Sequence, residues 1–143
     1  MNESEVRRLR QQIKLLQRRL RRETLPGSGI SRSAMQVLAA LDRLDPGAQP
    51  GRLGEELQMT SSNVAAALRE LEATRLVVRR RDEADGRRVL VHLTRSGRAL
   101  LASTRSERDS WLGKAVEGTL SEREQRQLLR AGELIGRLAE FEA

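Results

Sequence analysis

Apolar residues return at alternating steps of three and four near the start of the chain, at Val6, Leu9, Ile13, Leu16 and Leu20. This spacing predicts a helix over residues 3–23 with one narrow apolar stripe and arginines around the rest of its circumference. The run is too short for an autonomous coiled coil, so the stripe needs something to pack against. Leu25-Pro26-Gly27-Ser28-Gly29 predicts a break. Ser31 suits the N-cap of a second helix, Arg32 to Leu44, whose Met35, Val37, Leu38 and Leu41 point inward. Asp45-Pro46-Gly47 ends it. Pro50 opens a short third helix through Leu57, since proline in a first turn forfeits no helical hydrogen bond. Leu53 and Leu57 face inward. Gly54 between them lowers helix propensity by about 1 kcal/mol against alanine, which a close helix crossing would offset.

Thr60 is the N-cap of a fourth helix through Thr74. Val64, Ala67, Leu68 and Leu71 take its inward positions and leave Ser61, Ser62, Asn63, Ala65, Ala66, Arg69 and Glu70 outward. Leu76 to Arg80 and Arg88 to Leu93 read as strands, with Val89, Val91 and Leu93 on one face. Asp82-Glu83-Ala84-Asp85-Gly86 joins them. Thr94 starts a long fifth helix to about Glu117. Its middle, Ala102 to Ser110, is polar almost all round and reads as a solvated strut. Gly118-Thr119 predicts a break, and Ser121-Glu122-Arg123-Glu124 is a capping box opening the last helix. Leu128, Leu129, Leu134, Ile135, Leu138 and Phe141 make that helix amphipathic. The element order predicts a mostly α fold with a small two- or three-stranded β-wing.

The chain carries a formal charge of +7, and its distribution says more than its size. Residues 1–22 hold net +6, so the other 121 residues carry +1 between them. Within those, Arg75 to Arg88 hold six arginines against Asp82, Glu83 and Asp85. Two basic clusters on a nearly neutral body suit a phosphate-bearing partner, and equally suit solvated helix faces in an arginine-rich protein. Cysteine is absent, which excludes disulfides, thiolate metal sites and thiol redox sensing. His92 is the single histidine and falls on the solvent side of its strand, so neither a nucleophile–base pair nor a zinc site can be assembled. No enzyme, cofactor or metal is expected. The charged start lacks an apolar core region, and no apolar run approaches the roughly 20 residues of a membrane span, so a cytoplasmic location is the simplest expectation.

The third and fourth helices are joined by Gln58-Met59 alone, the arrangement of a helix-turn-helix. Its second helix offers a first turn or two to base edges in a major groove. The groove admits one helix, and the outward face here is small, so Ser61, Ser62, Asn63 and Ala66 can approach closely. Arg69 lies two turns in, within reach of a guanine or the backbone. The hairpin that follows places Arg87 and Arg88 at its tip, where an extended arm can push arginine into a minor groove. Asp85 is close enough in sequence to orient Arg87 by a charge-assisted hydrogen bond. Arg79, Arg80 and Arg81 alternate sides along the first strand, so that one or two of them, Arg81 included, touch phosphates and the rest face water.

From about Ser31 to Leu101 these residues resemble the MarR family of bacterial transcriptional regulators. The matching pieces are Met35-Gln36-Val37-Leu38, Pro50 to Leu57, Thr60-Ser61-Ser62-Asn63-Val64 and Leu68-Arg69-Glu70-Leu71-Glu72. Arg80-Arg81-Asp82 with Asp85-Gly86-Arg87, and Leu93-Thr94-Arg95-Ser96-Gly97-Arg98-Ala99-Leu100, complete the match. The resemblance implies a single domain over residues 1–143, with a winged helix-turn-helix at about 31–100 and dimerisation helices at 1–25 and 101–143. It implies a homodimer, through Leu9, Ile13, Leu16, Leu128, Leu134 and Ile135, on a palindromic operator of double-stranded DNA. It also implies repression, with release by a small lipophilic or phenolic effector bound near the ends of helices one, two and five. By resemblance Arg87 probes the minor groove and Asp85 steadies it. Two positions depart from the family pattern: Gly86 stands where another arginine is common, and Arg75 where glycine usually closes the recognition helix. Two other readings use the same residues. One is a non-sequence-specific nucleic-acid or nucleoid-associated protein using the first helix as a basic arm. The other is a protein-interaction module that kept the winged fold.

Overall fold

In the computed structural model residues 1–22 and 28–142 are described, so the break expected at Leu25-Pro26-Gly27 lies outside the described residues. The elements run α1 (Glu3–Arg22), α2 (Arg32–Arg43), α3 (Pro50–Leu57), α4 (Ser61–Ala73), β1 (Val77–Arg81), β2 (Val89–Leu93), α5 (Arg95–Thr119) and α6 (Glu122–Ala139). Two compact units are formed, Met1–Glu107 and Arg108–Ala143.

In the first unit α2 packs against α3, α4 and β2. Leu38, Leu41, Leu53, Leu68, Leu71, Val37, Val64 and Val91 are fully buried there. Each contributes about 1.5–3 kcal/mol by leaving water. Ser31 caps α2 as expected, its hydroxyl accepting the Ala34 N–H at 3.2 Å. The strands form an antiparallel hairpin with Val77 opposite Leu93, Arg79 opposite Val91 and Arg81 opposite Val89. A third strand is represented by one residue: Ala48 exchanges both backbone hydrogen bonds with Val91, at 3.1 and 2.9 Å.

Four expectations are corrected here. Val89 does not share the buried face with Val91 and Leu93: it is 41% exposed, because the hairpin runs past the end of the core. His92 does not simply face solvent. It is half-buried, its Nδ1 on the Pro46 carbonyl and its ring where a Cβ on Gly47 would fall. The polar middle of α5 is not solvated throughout, since Thr104 is buried one turn after Leu101. Gly118 does not break α5, which continues to Thr119. The Thr119 hydroxyl donates to the Ala115 carbonyl at 2.6 Å, and the chain turns at Leu120.

The root of the hairpin is built from a close backbone approach. After α4, Leu76 N–H donates to the Leu71 carbonyl at 2.9 Å and Arg75 N–H to that of Glu72 at 3.0 Å. This Schellman closure requires a left-handed residue, and Arg75 supplies it at φ 57°. Thr94 then ties β2 and α5 to that turn. Its hydroxyl donates to the Arg75 carbonyl at 2.7 Å and accepts the Gly97 N–H at 3.1 Å, while its own N–H donates to the Leu76 carbonyl at 3.0 Å. Gly97 packs so tightly on this turn that a Cβ there would sit 2.2 Å from the Leu76 oxygen.

In the second unit Ser121 and Glu124 make the expected capping box at the start of α6. The Glu124 carboxylate accepts the Ser121 N–H at 2.9 Å and its hydroxyl at 2.7 Å. Leu128, Leu129, Leu134, Ile135, Leu138 and Phe141 are exposed, and α6 has no buried residue. In the first unit α1 likewise has none: Val6 and Leu16 are exposed and Leu9 and Ile13 half-buried. No helix among the described residues is long and apolar enough to cross a membrane.

Candidate nucleic-acid interface

The turn between α3 and α4 is set by two features. Gln58 takes a left-handed conformation at φ 51°, and Met59 N–H reaches back to the Gly54 carbonyl at 2.9 Å. A Cβ at Gly54 would lie 3.1 Å from the Met59 carbonyl, so glycine lets the turn fold back on its own helix. The close approach expected at Gly54 is therefore mainly to the turn, with Val64 of α4 beyond it at 3.7 Å. Thr60 caps α4, its hydroxyl accepting the Asn63 N–H at 3.2 Å and lying 3.2 Å from the Ser62 hydroxyl. With Val64, Ala67, Leu68 and Leu71 turned into the core, Ser61, Ser62, Asn63, Ala66 and Arg69 are exposed together on one face. That face begins at a helix N-terminus, where backbone N–H groups and the helix dipole favour an anion.

Two residues read as outward or solvated behave differently. Glu70 turns back to α2: its carboxylate accepts the Ser31 N–H and the Ser31 hydroxyl, each at 2.6 Å. Arg79 reaches Glu72 on α4, Nε to Oε1 2.6 Å, which holds the base of the hairpin to the recognition helix. Neither pairing has a local sequence signal beyond opposite charge or polarity, since Ser31 lies 39 residues before its partner.

The wing tip is organised by its acids. Asp82 accepts the Ala84 N–H at 3.0 Å, and Asp82 N–H donates to the Arg88 carbonyl at 2.9 Å. Asp85 accepts the main-chain N–H of Arg87 at 3.1 Å through Oδ1. Its Oδ2 lies 3.3 Å from Nε of Arg88. The side-chain partner of Asp85 is therefore Arg88, not Arg87 as the resemblance implied. The reason is register: Arg88 immediately precedes β2 and lies beside the Asp85 carbonyl, to which its N–H donates at 2.9 Å, whereas Arg87 lies within the turn itself. The Arg87 guanidinium makes no ion pair among the described residues and stays exposed beside Gly86. Arg80 and Arg81 are exposed on opposite faces of β1, a two-residue alternation that sends one to each side of the arm.

A cleft of about 360 Å³ opens between α3 and α4, lined by Pro50, Gly54, Met59, Ala65 and Leu68, with Glu55, Ser61 and Arg79 among its polar neighbours. No lining residue comes from α1, α2 or α5, whose ends the resemblance associates with effectors. Among the described residues no cluster of His, Cys, Asp or Glu could hold a metal ion.

A family model described as "MarR family" matches residues 28–88, from the approach to α2 through the wing tip. YdgJ of Bacillus subtilis (strain 168), an uncharacterized HTH-type transcriptional regulator, is 32% identical over 102 residues, which is 71% of this chain and 61% of that protein's length. A crystal structure of a putative transcriptional regulator from Pseudomonas aeruginosa PA01 is 39% identical, with a TM-score of 0.86 over 98% of this chain and 96% of that one. The crystal structure of an S. aureus MepR–DNA complex shares the fold, with a TM-score of 0.69 and 23% identity over 90% of this chain and 96% of that one.

Proposed function

The chain belongs to the MarR family, and on that premise we propose that it is a sequence-specific DNA-binding transcriptional regulator: a homodimeric repressor of a palindromic operator. One observation carries the reading most. A recognition helix with a small polar outer face, and a hairpin whose tip exposes Arg87, are fastened to each other through Arg79–Glu72 and through Thr94 on the turn after the helix. Ser61, Ser62, Asn63, Ala66 and Arg69 would meet the major groove. Arg87 would enter the minor groove, with Arg81 and Arg88 on phosphates and Asp85 holding Arg88 in place.

The dimer is supported by apolar residues of α1 and α6 that the chain does not bury, half-buried Leu9 and Ile13 with exposed Leu16 on the one and exposed Leu128, Leu134 and Ile135 on the other. Contiguous exposed stripes of this kind mark association surfaces. Twofold symmetry would set the two recognition helices about 34 Å apart, one duplex turn. Release of the operator by a small lipophilic or phenolic effector, bound near the ends of α1, α2 and α5 as in the resemblance, completes the reading. The regulator needs no cofactor or metal, performs no catalysis and works in the cytoplasm on the chromosome.

Selection of bound sites from a pool of random duplexes tests the reading. A regulator of this type enriches a palindrome with half-sites about one turn apart, preferred over random DNA by roughly 10³ or more. A flat response across sequences would overturn it in favour of the non-specific nucleic-acid binder that the +6 of residues 1–22 also suits.

A further inference from the structure

The charge of α1 is arranged as well as large. From Val6 to Arg22 the helix carries eight cations and no carboxylate, its acids Glu3 and Glu5 lying in the first turn. Arg7, Arg10, Lys14, Arg18 and Arg21 recur at steps of three, four, four and three, and all are exposed. Four of the five directly follow a residue of the apolar stripe, so the basic stripe is rotated from it by about 100°. The two stripes leave each other free: a second chain can cover the apolar one while the basic one stays in solvent. Over the fourteen residue steps from Arg7 to Arg21 it extends about 21 Å.

This arrangement opposes the stability of the helix itself. Arg10–Lys14 and Lys14–Arg18 are like charges at i,i+4, each destabilising by about 0.2–0.5 kcal/mol. In the first turns of α1 Arg7 has an acidic neighbour, Glu3 at 3.1 Å. A polyanion laid along the stripe would turn that repulsion into attraction. A DNA duplex presents one negative charge per about 1.7 Å of axis and matches a straight row of cations without any demand on sequence. An anionic membrane suits the helix less well. Its apolar residues occupy a narrow seam rather than a broad face, and it has no aromatic residue to seat at a lipid interface.

We infer that the basic stripe of α1 is a second DNA-contacting surface that grips phosphates of duplex DNA without sequence preference. It goes beyond the operator reading, and its test does not depend on that reading being right. The full-length protein carrying Arg10→Gln, Lys14→Gln and Arg18→Gln keeps helix-forming side chains and loses three charges. Its binding to a random-sequence duplex is measured across salt concentrations, beside wild type and an equal-charge control, Arg123→Gln with Arg126→Gln and Arg130→Gln on α6. Circular dichroism checks that helix content is retained. The expected result is a salt slope flattened by about 2.7, near 0.9 per lost phosphate contact, and random-duplex affinity reduced at least tenfold at about 0.1 M salt. The α6 control should keep the wild-type slope. An unchanged slope in the α1 variant overturns the inference, as does equal flattening in the control, which would reduce the effect to net charge. Loss of binding to anionic phospholipid vesicles with DNA binding intact also overturns it, in favour of a membrane. If wild type prefers no site yet the α1 variant still flattens the slope, the regulator reading fails and this one stands.

Discussion

Gly97→Ala isolates the joint on which the wing depends. The substitution places a Cβ 2.2 Å from the Leu76 carbonyl oxygen and 3.2 Å from its carbon, and the obstacle is backbone rather than a yielding side chain. Relief requires α5 to move away from the turn after α4 by about 1 Å, an overpacking strain of about 1–3 kcal/mol. The movement stretches the Thr94–Leu76 and Gly97–Thr94 hydrogen bonds, now 3.0 and 3.1 Å. Together these contribute about 1–2 kcal/mol. Alanine returns about 1 kcal/mol of helix propensity. The net expectation is a loss of about 1–4 kcal/mol, or a Tm lowered by several degrees for a chain of this size. Thermal unfolding followed by circular dichroism reads it, with Gly51→Ala as the companion. A Cβ at Gly51 meets nothing, so the same substitution in the same unit should be neutral or stabilising by up to about 1 kcal/mol. Because Thr94 anchors the base of the hairpin, Gly97→Ala should also weaken DNA binding. Equal Tm values for Gly97→Ala and wild type would refute the close packing argued here.

Three further outcomes follow from the same geometry. Arg75→Gly should raise stability by about 0.5–1 kcal/mol, read by denaturant unfolding, because glycine accepts the φ of 57° that arginine holds under strain. Arg87→Ala should reduce operator affinity tenfold or more and lower the salt slope by about 1, while Arg88→Ala, whose side chain is shared with Asp85, should cost less. Titration of operator DNA at fixed salt compares them, and a larger loss for Arg88→Ala would reverse the assignment of the minor-groove probe. The Ser121 hydroxyl and N–H hold the Glu124 carboxyl below the ordinary glutamate range. A folded value below the unfolded one means that the cap's stabilisation is full above the ordinary glutamate range and is lost as pH falls through the lowered value. Amide protection in the first turn of α6, taken relative to the intrinsic exchange rate at each pH, should therefore fall on acidification, and Glu124→Gln should abolish that fall.

What the sequence disclosed divides along the distance between interacting groups. The stripes of α2 and α4 were legible because burial repeats every three or four residues. The caps at Ser31, Thr60 and Ser121 were legible because each partner lies three residues away. Arg75 was legible as an anomaly, since the turn it closes needs a left-handed residue whatever occupies it. Gly118 misled because its flexibility permits a break without requiring one, and the i→i−4 ladder continues through it to Leu120. Val89 misled because strand alternation says which side a residue faces, not whether the core extends that far. The wing tip was read one residue out of place: spacing allows Asp85 to serve either arginine, and only the hairpin register brings Arg88 to it. Gly97 stood in the sequence as family pattern alone, and Thr94 only as the start of the fifth helix. Their reason is a contact with Arg75 and Leu76, about twenty residues back, which no local rule supplies. The residues that aim the wing are therefore small ones at its root, while those that make it visible in the sequence are the arginines at its tip.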